Sequence, residues 1–136
     1  MKFTEGYIRD LLAGDHTVPN RQTESQVDEL MDQLIAERVD IYQQFDLYLV
    51  PDKIMWDILR RIFGYVLARA AYVPGDLSEK AQGLVNGFFV EESWIVYSLV
   101  HTYGIPYGVV VYFIREVIIF ALEHIVSIPT PPVEFA

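Results

Sequence analysis

Residues 107–127 read YGVVVYFIREVIIFALEHIVS, and this stretch decides the fold of the chain. Its apolar residues are interrupted only by Arg115 and Glu116 before Glu123 is reached. The β-branched and aromatic residues at 109–120 would also suit strands. However, they do not alternate with polar residues, and no turn residue divides them. The length of the stretch therefore favours one very apolar, buried helix, and the choice between helix and strand rests on that length.

The same region is the one candidate for a membrane span, because residues 105–128 are long enough to cross a bilayer. A charge at the centre of such a helix costs about 2.5–3.5 kcal/mol on insertion scales, and Arg115 and Glu116 lie there. No cluster of Lys or Arg flanks the stretch to orient it. We therefore expect a core or interface helix in preference to a membrane-spanning one. Because residues 1–10 also lack a secretory signal, we expect a cytoplasmic protein.

Outward from this stretch, the chain predicts further helices joined by short loops. Residues 23–45 carry an apolar stripe at helical spacing and are predicted to form one helix. Pro51 suits the first position of a helix that continues to about Tyr72 and contains Arg60, Arg61 and Arg69. Shorter helices are predicted for residues 4–13, 77–86 and 91–103. Asp76 or Ser78 begins the second of these, and Gly87 is its predicted C-cap.

The prediction for the whole chain is an all-α fold, a single compact bundle of five or six helices with a very apolar C-terminal helix. Residues 1–136 form one domain, and residues 129–136 are a short proline-rich tail that cannot be helical. This tail, with Phe135 near its end, either inserts into a groove or remains a frayed terminus.

The composition points to apolar material beyond the needs of an ordinary core. Hydrophobic residues make up 52% of the 136 residues and aromatic residues 14%, with nine Tyr, eight Phe and two Trp. A surplus of this kind usually covers an oligomer interface, a partner surface or a pocket. The residues predicted to form such an interface or apolar pocket are Phe88, Phe89, Trp94, Tyr97, Tyr112, Phe113 and Phe120.

Charge is both negative and uneven. The net charge is -9, which disfavours direct nucleic-acid binding because phosphate recognition needs a basic surface. One face of the helix at 23–45 is acidic, and it is either simply solvated or complementary to a basic partner. Its residues are Glu24, Asp28, Glu29, Asp32, Glu37 and Asp40. The arginines of the helix after Pro51 form the only basic region, which could pair with this acidic face in a neighbouring copy.

No motif in the sequence names a reaction or a cofactor. Cysteine is absent, which excludes disulfides and thiolate chemistry, and no glycine-rich phosphate loop occurs. Glu123 and His124 are adjacent, so they point in different directions on a helix and do not form a metal-ligand pair. His101 has no nucleophile or second acid at catalytic spacing, and a core histidine is the simpler interpretation. We expect no enzyme, metal or cofactor.

Three functions remain in order of preference. The first is a non-enzymatic adaptor, assembly factor or regulator that binds proteins through helix faces and forms a homodimer or other homo-oligomer. The second is an acidic inhibitor or immunity-type protein that masks a basic enzyme surface. The third is a carrier of a small apolar ligand or lipid. Arg115 and Glu116 are expected at the edge of their helix or in pairs that fix a dimer's register.

Overall fold

The computed structural model describes residues 21–125, with side chains from residue 24 onward, and these residues confirm the all-α prediction. The predicted N-terminal segment at 4–13 and the tail at 129–136 lie outside the described residues. A 3-10 turn, Ala70–Tyr72, follows the third helix. The α-helices are α1 (Arg21–Glu37), α2 (Val39–Asp46), α3 (Asp52–Arg69), α4 (Leu77–Glu91), α5 (Ser93–His101) and α6 (Tyr107–Ile125).

Helix α6 lies at the centre of the bundle and settles the choice between helix and strand for residues 109–120. It packs mainly on α3 and α4 and also contacts α5 and α1. Tyr112, Arg115 and Glu123 lie on one outward row and are exposed. The side chains that α6 buries are Val110, Phe113, Ile114, Val117, Ile118, Phe120, Ala121 and Leu122. The other helices of the same chain therefore cover most of this very apolar helix.

A break at Arg38 divides the region predicted as one helix. The prediction of a continuous helix over 23–45 is wrong there, because Arg38 adopts φ -131° and ψ 51° between α1 and α2. Its guanidinium holds both carboxylate oxygens of Asp40 at 3.1 Å and one oxygen of Glu116 at 3.2 Å. At this break the Arg38 side chain therefore contacts both the start of α2 and α6.

Helix α3 begins after Pro51, which is the N-cap with extended ψ and not the first helical residue. The far end of α3 and its 3-10 turn are stabilised by Lys80 of α4. Its ammonium donates to the carbonyl of Ala70 at 3.0 Å and to the carbonyl of Val73. These bonds satisfy carbonyl groups that a helix end leaves without partners.

Asp76 begins α4 with a capping box, since its carboxylate accepts from the Glu79 amide at 2.9 Å and Glu79 returns the bond. The predicted C-cap at Gly87 is wrong, because α4 continues to Glu91. A Cβ at Gly87 would overlap the hydroxyl of Tyr65, so this glycine lets α4 approach α3 closely. The pKa of Tyr65 is raised by burial and by the nearby Glu91 carboxylate.

Candidate interaction surfaces

The six acidic residues predicted as a partner-binding face are all exposed, but the bundle already uses three of them. Asp28 pairs with Arg60 at 2.7 Å, Glu37 contacts Nε2 of His124 at 3.2 Å, and Asp40 pairs with Arg38. The other three, Glu24, Glu29 and Asp32, form no ion pair among the described residues. The part of this face available to a basic partner is therefore confined to α1.

The basic region of α3 is paired within the chain. Arg60 contacts α1, Arg61 holds Glu92 at 3.0 Å, and Arg69 holds Glu91 at 2.8 Å. The guanidinium of Arg69 also lies 4.1 Å from the centre of the Tyr65 ring. Each of these three arginines thus has a carboxylate of its own chain, and none requires the acidic face of a neighbouring copy.

The seven aromatic residues predicted for an interface or pocket fall into three groups. Phe88, Phe113 and Phe120 are buried in the chain's own core, so they are not surface residues. Phe113 packs on Phe45 with ring centres 3.8 Å apart. Phe89 and Trp94 are half-buried against the core. Tyr97 and Tyr112 are 44% and 46% exposed, so much of each side chain lies at the surface.

Helix α5 presents an aromatic row, defined here as Trp94, Tyr97 and His101. Their spacing of three and four residues places the three rings on one helical face. The rings of Tyr97 and His101 lie 4.1 Å apart, tilted by 31°. Ile95, Val96 and Leu99 cover the opposite, buried face. Ser98 is also buried, and its hydroxyl donates to the Trp94 carbonyl at 2.7 Å.

His101 is exposed, so its interpretation as a core histidine is wrong. His101 instead completes, together with Tyr97, the row that begins at Trp94. The signal that could have found the row is the spacing 94, 97 and 101 in a helix without acidic residues. Trp94 and Tyr97 are of the residue types that dominate protein-binding hot spots.

The charged residues of α6 take two different positions. Glu116 is half-buried and paired with Arg38 of the same chain. Arg115 is exposed beside a shallow groove between α4 and α6, which has a volume of about 220 Å³. His124 lies in the last turn, where its ring stacks on Phe120 and Nδ1 is 2.8 Å from the Phe120 carbonyl.

Within residues 21–125 no group of three His, Asp or Glu side chains is arranged to hold a metal ion. Among the same residues, no helix has the length and apolar character needed to span a bilayer. Comparison with known proteins finds no protein family, no curated protein and no solved structure that matches the chain. The geometry of the described surfaces is therefore the basis for any functional proposal.

Proposed function

We propose that this protein is a non-enzymatic interaction protein that self-associates through the aromatic row of α5. The observation that carries the proposal is the placement of Trp94, Tyr97 and His101 on one outward face of a helix whose other face is anchored in the core. Trp and Tyr supply large contact areas while losing little side-chain entropy on binding. A rigid, partly exposed row of such residues suits a binding surface of an adaptor or regulator.

Charge supports a second copy as the partner on this face. Two copies carry -9 each, so they repel wherever acidic surfaces meet. Helix α5 has the sequence SWIVYSLVH, without Asp, Glu, Lys or Arg. The first turns of α6, residues 107–114, are also uncharged and include the exposed Tyr107 and Tyr112. A two-fold contact between α5 rows would therefore bring the copies together where repulsion is smallest.

The packing of α6 within the chain bears on the kind of self-association that we propose. Because the chain covers its own apolar helix, a second copy is not needed to complete the core. Association through α5 would then be a reversible contact between two folded chains, as regulatory and adaptor proteins use. This differs from an obligate dimer, whose interface resembles a divided domain core.

The test is size-exclusion chromatography with light scattering on the wild type and on Tyr97→Asp. We expect a concentration-dependent dimer for the wild type and a monomer for the variant, because a buried unpaired carboxylate opposes association. Gln43→Asp is the matched control, since it adds the same charge at an exposed position of α2 and should leave the dimer intact. A wild type that is monomeric at every concentration would overturn the self-association proposal.

A second candidate function rests on the unpaired acids of α1. Glu24, Glu29 and Asp32 are exposed and have no cationic partner among the described residues, so their charge is available to a basic protein surface. As the alternative to self-association, we propose that these acids bind and mask a basic surface of another protein. Reversing Glu29 and Asp32 to Lys should abolish capture of a basic partner. The same reversal at Asp46 and Glu123 should not, although it changes the net charge equally.

A further inference from the structure

Arg115 differs from the other arginines whose side chains the structure describes. Arg38, Arg60, Arg61 and Arg69 each hold a carboxylate of the same chain. Arg115 is exposed and forms no ion pair within residues 24–125, although the chain is strongly acidic. Its guanidinium therefore keeps a charge that this part of the chain does not neutralise.

The carboxylates on the two helices beside Arg115 are directed elsewhere. Glu123 lies eight residues further along α6, which is about 12 Å along the helix axis. The remaining acids of α4 and α6 have partners: Asp76 and Glu79 bond each other's backbone in the capping box, Glu91 holds Arg69, and Glu116 holds Arg38. The charge of Arg115 is therefore open to a carboxylate from another molecule.

Arg115 also stands beside the shallow groove between α4 and α6, which is largely apolar. The two helices are antiparallel, with the ring of Phe89 lying 6.1 Å from that of Tyr107. Eight residues back along α4 and eight forward along α6, the same register brings Ala81 level with Arg115. Four apolar side chains, two uncharged polar ones and one arginine line the groove: Leu77, Ala81, Val85 and Ile119, then Ser78 and Gln82, then Arg115.

We propose that this groove binds a small monocarboxylate whose remaining atoms form a compact apolar body, such as one aromatic ring or a short branched chain. The carboxylate pairs with the guanidinium of Arg115, whose parallel N–H groups match the two oxygens of a carboxylate. The apolar body lies against Ala81, Val85 and Ile119, which form the apolar surface beside this arginine.

Size and charge together select this class of ligand. The groove has a volume of about 220 Å³, which is below the range of about 300–1,000 Å³ that is typical of sites for drug-sized ligands. One guanidinium matches one negative charge, whereas a dianion such as a phosphate monoester would add unpaired charge to a chain that carries -9. A neutral apolar ligand would displace water from Arg115 without replacing its hydrogen bonds.

NMR titration of the isotopically labelled full-length chain with benzoate tests the site. We expect saturable amide shifts at Ala81, Val85 and Ile119, with a Kd in about the millimolar range, because a ligand of so few atoms gains little binding energy. Arg115→Gln should weaken binding about fivefold to tenfold, because the carboxylate loses its charge-assisted hydrogen bonds. Arg60→Gln is the matched control, since it removes the same charge from α3 and should leave the affinity unchanged.

Two further probes separate the charge of the ligand from its shape. Benzamide has nearly the same shape as benzoate without the charge, so it should bind the wild type about as weakly as benzoate binds Arg115→Gln. Isovalerate replaces the ring with a branched chain and should shift the same amides as benzoate. Equal affinity of benzoate for the wild type and Arg115→Gln would overturn the proposal. So would shifts centred away from the groove, or no saturable shift with either carboxylate. These results do not depend on the α5 row.

Discussion

Helix α3 separates an acidic region, formed by α1 and α2, from an aromatic region, formed by α4, α5 and α6. Its adjacent residues Arg60 and Arg61 show how the two regions differ. Arg60 faces α1 and pairs with Asp28 at 2.7 Å, with the two side chains 48% and 56% exposed. Arg61 faces the opposite region and pairs with Glu92 at 3.0 Å, with only 12% and 14% exposed. The Arg61 guanidinium lies 5.8 Å from the Trp94 ring, whose Nε1 donates to the same Glu92 carboxylate.

The difference shows that burial, not residue type, decides what a charged contact contributes. In the acidic region, formed by α1 and α2, the Arg60–Asp28 pair lies at the periphery where water and salt screen it. In the aromatic region, formed by α4, α5 and α6, the Arg61–Glu92 pair is largely buried and lies against the Trp94 ring. Losing one partner there leaves a poorly solvated charge. The two regions should therefore respond differently to matched substitutions.

The largest effect is expected from truncating the aromatic core. Phe113 is fully buried against Phe45, whereas the adjacent Tyr112 is 46% exposed. Phe113→Ala should lower the free energy of unfolding by about 3–5 kcal/mol, because it removes buried apolar area and leaves a cavity. Tyr112→Ala should cost less than about 1 kcal/mol. Urea denaturation of both variants measures this, and equal losses would contradict the packing described for α6.

The next effect concerns the close approach of α3 and α4. Gly87→Ala places a methyl group against the Tyr65 hydroxyl and should cost about 1–3 kcal/mol. Gly64→Ala, where a Cβ meets nothing within 4 Å, should instead stabilise the helix by about 0.5–1 kcal/mol. Thermal denaturation of both variants shows whether each substitution raises or lowers the stability of the fold. Adding Tyr65→Phe should recover part of the Gly87→Ala loss, and no recovery would place the strain elsewhere.

These contacts explain how far the sequence alone could predict the structure. Helical periodicity and length identify the all-α class and most helix positions, because they depend on local pattern. The break at Arg38 is invisible to that pattern, since it is stabilised by Glu116, which is 78 residues away in the chain. Gly87 resembles a helix end in sequence, and only the neighbouring Tyr65 explains why the helix continues through it.

The candidate surfaces also divide into those that the local sequence pattern predicts and those that only the packing reveals. The acidic face of α1 is predictable because charged residues alternate with an apolar stripe at helical spacing. The outward row of α6 is not, because this helix is apolar around most of its circumference and periodicity assigns it no outer face. Only packing distinguishes Phe113 from Tyr112, or Arg61 from Arg60. The aromatic set was therefore identified as a group, while its division into core and surface required the fold.

The difference between the acidic and aromatic regions is tested most directly by Arg60 and Arg61 of α3. Arg61→Ala should lower the free energy of unfolding by about 1–3 kcal/mol, because it leaves Glu92 enclosed without its cationic partner. Arg60→Ala should cost about 0.2–1 kcal/mol, and that small loss should shrink further in high salt. Chemical denaturation at low and high salt measures both. Equal costs would mean that the two regions do not differ in how burial affects their ion pairs.

The smallest effect is a pH dependence in the acidic region at Tyr42. Burial, together with a hydrogen bond to Asp52 and the charge of that carboxylate, raises the pKa of Tyr42 to about 12. An unfolded tyrosine ionises near about pH 10, so the unfolded chain releases this proton first as the pH rises. The stabilising contribution of Tyr42 is therefore complete below about pH 10 and is lost progressively between there and the folded pKa.

Tyr42→Phe isolates this contribution, because the other tyrosines, including Tyr65, are present in both proteins and cancel in the comparison. Urea denaturation of wild type and variant at about pH 9 should show the full stability difference between them. At about pH 11 the wild type should lose stability relative to the variant, so the difference should narrow. An unchanged difference would mean that Tyr42 ionises alike in the folded and unfolded chains. The hydroxyl of Tyr42 would then be equally solvated in both states.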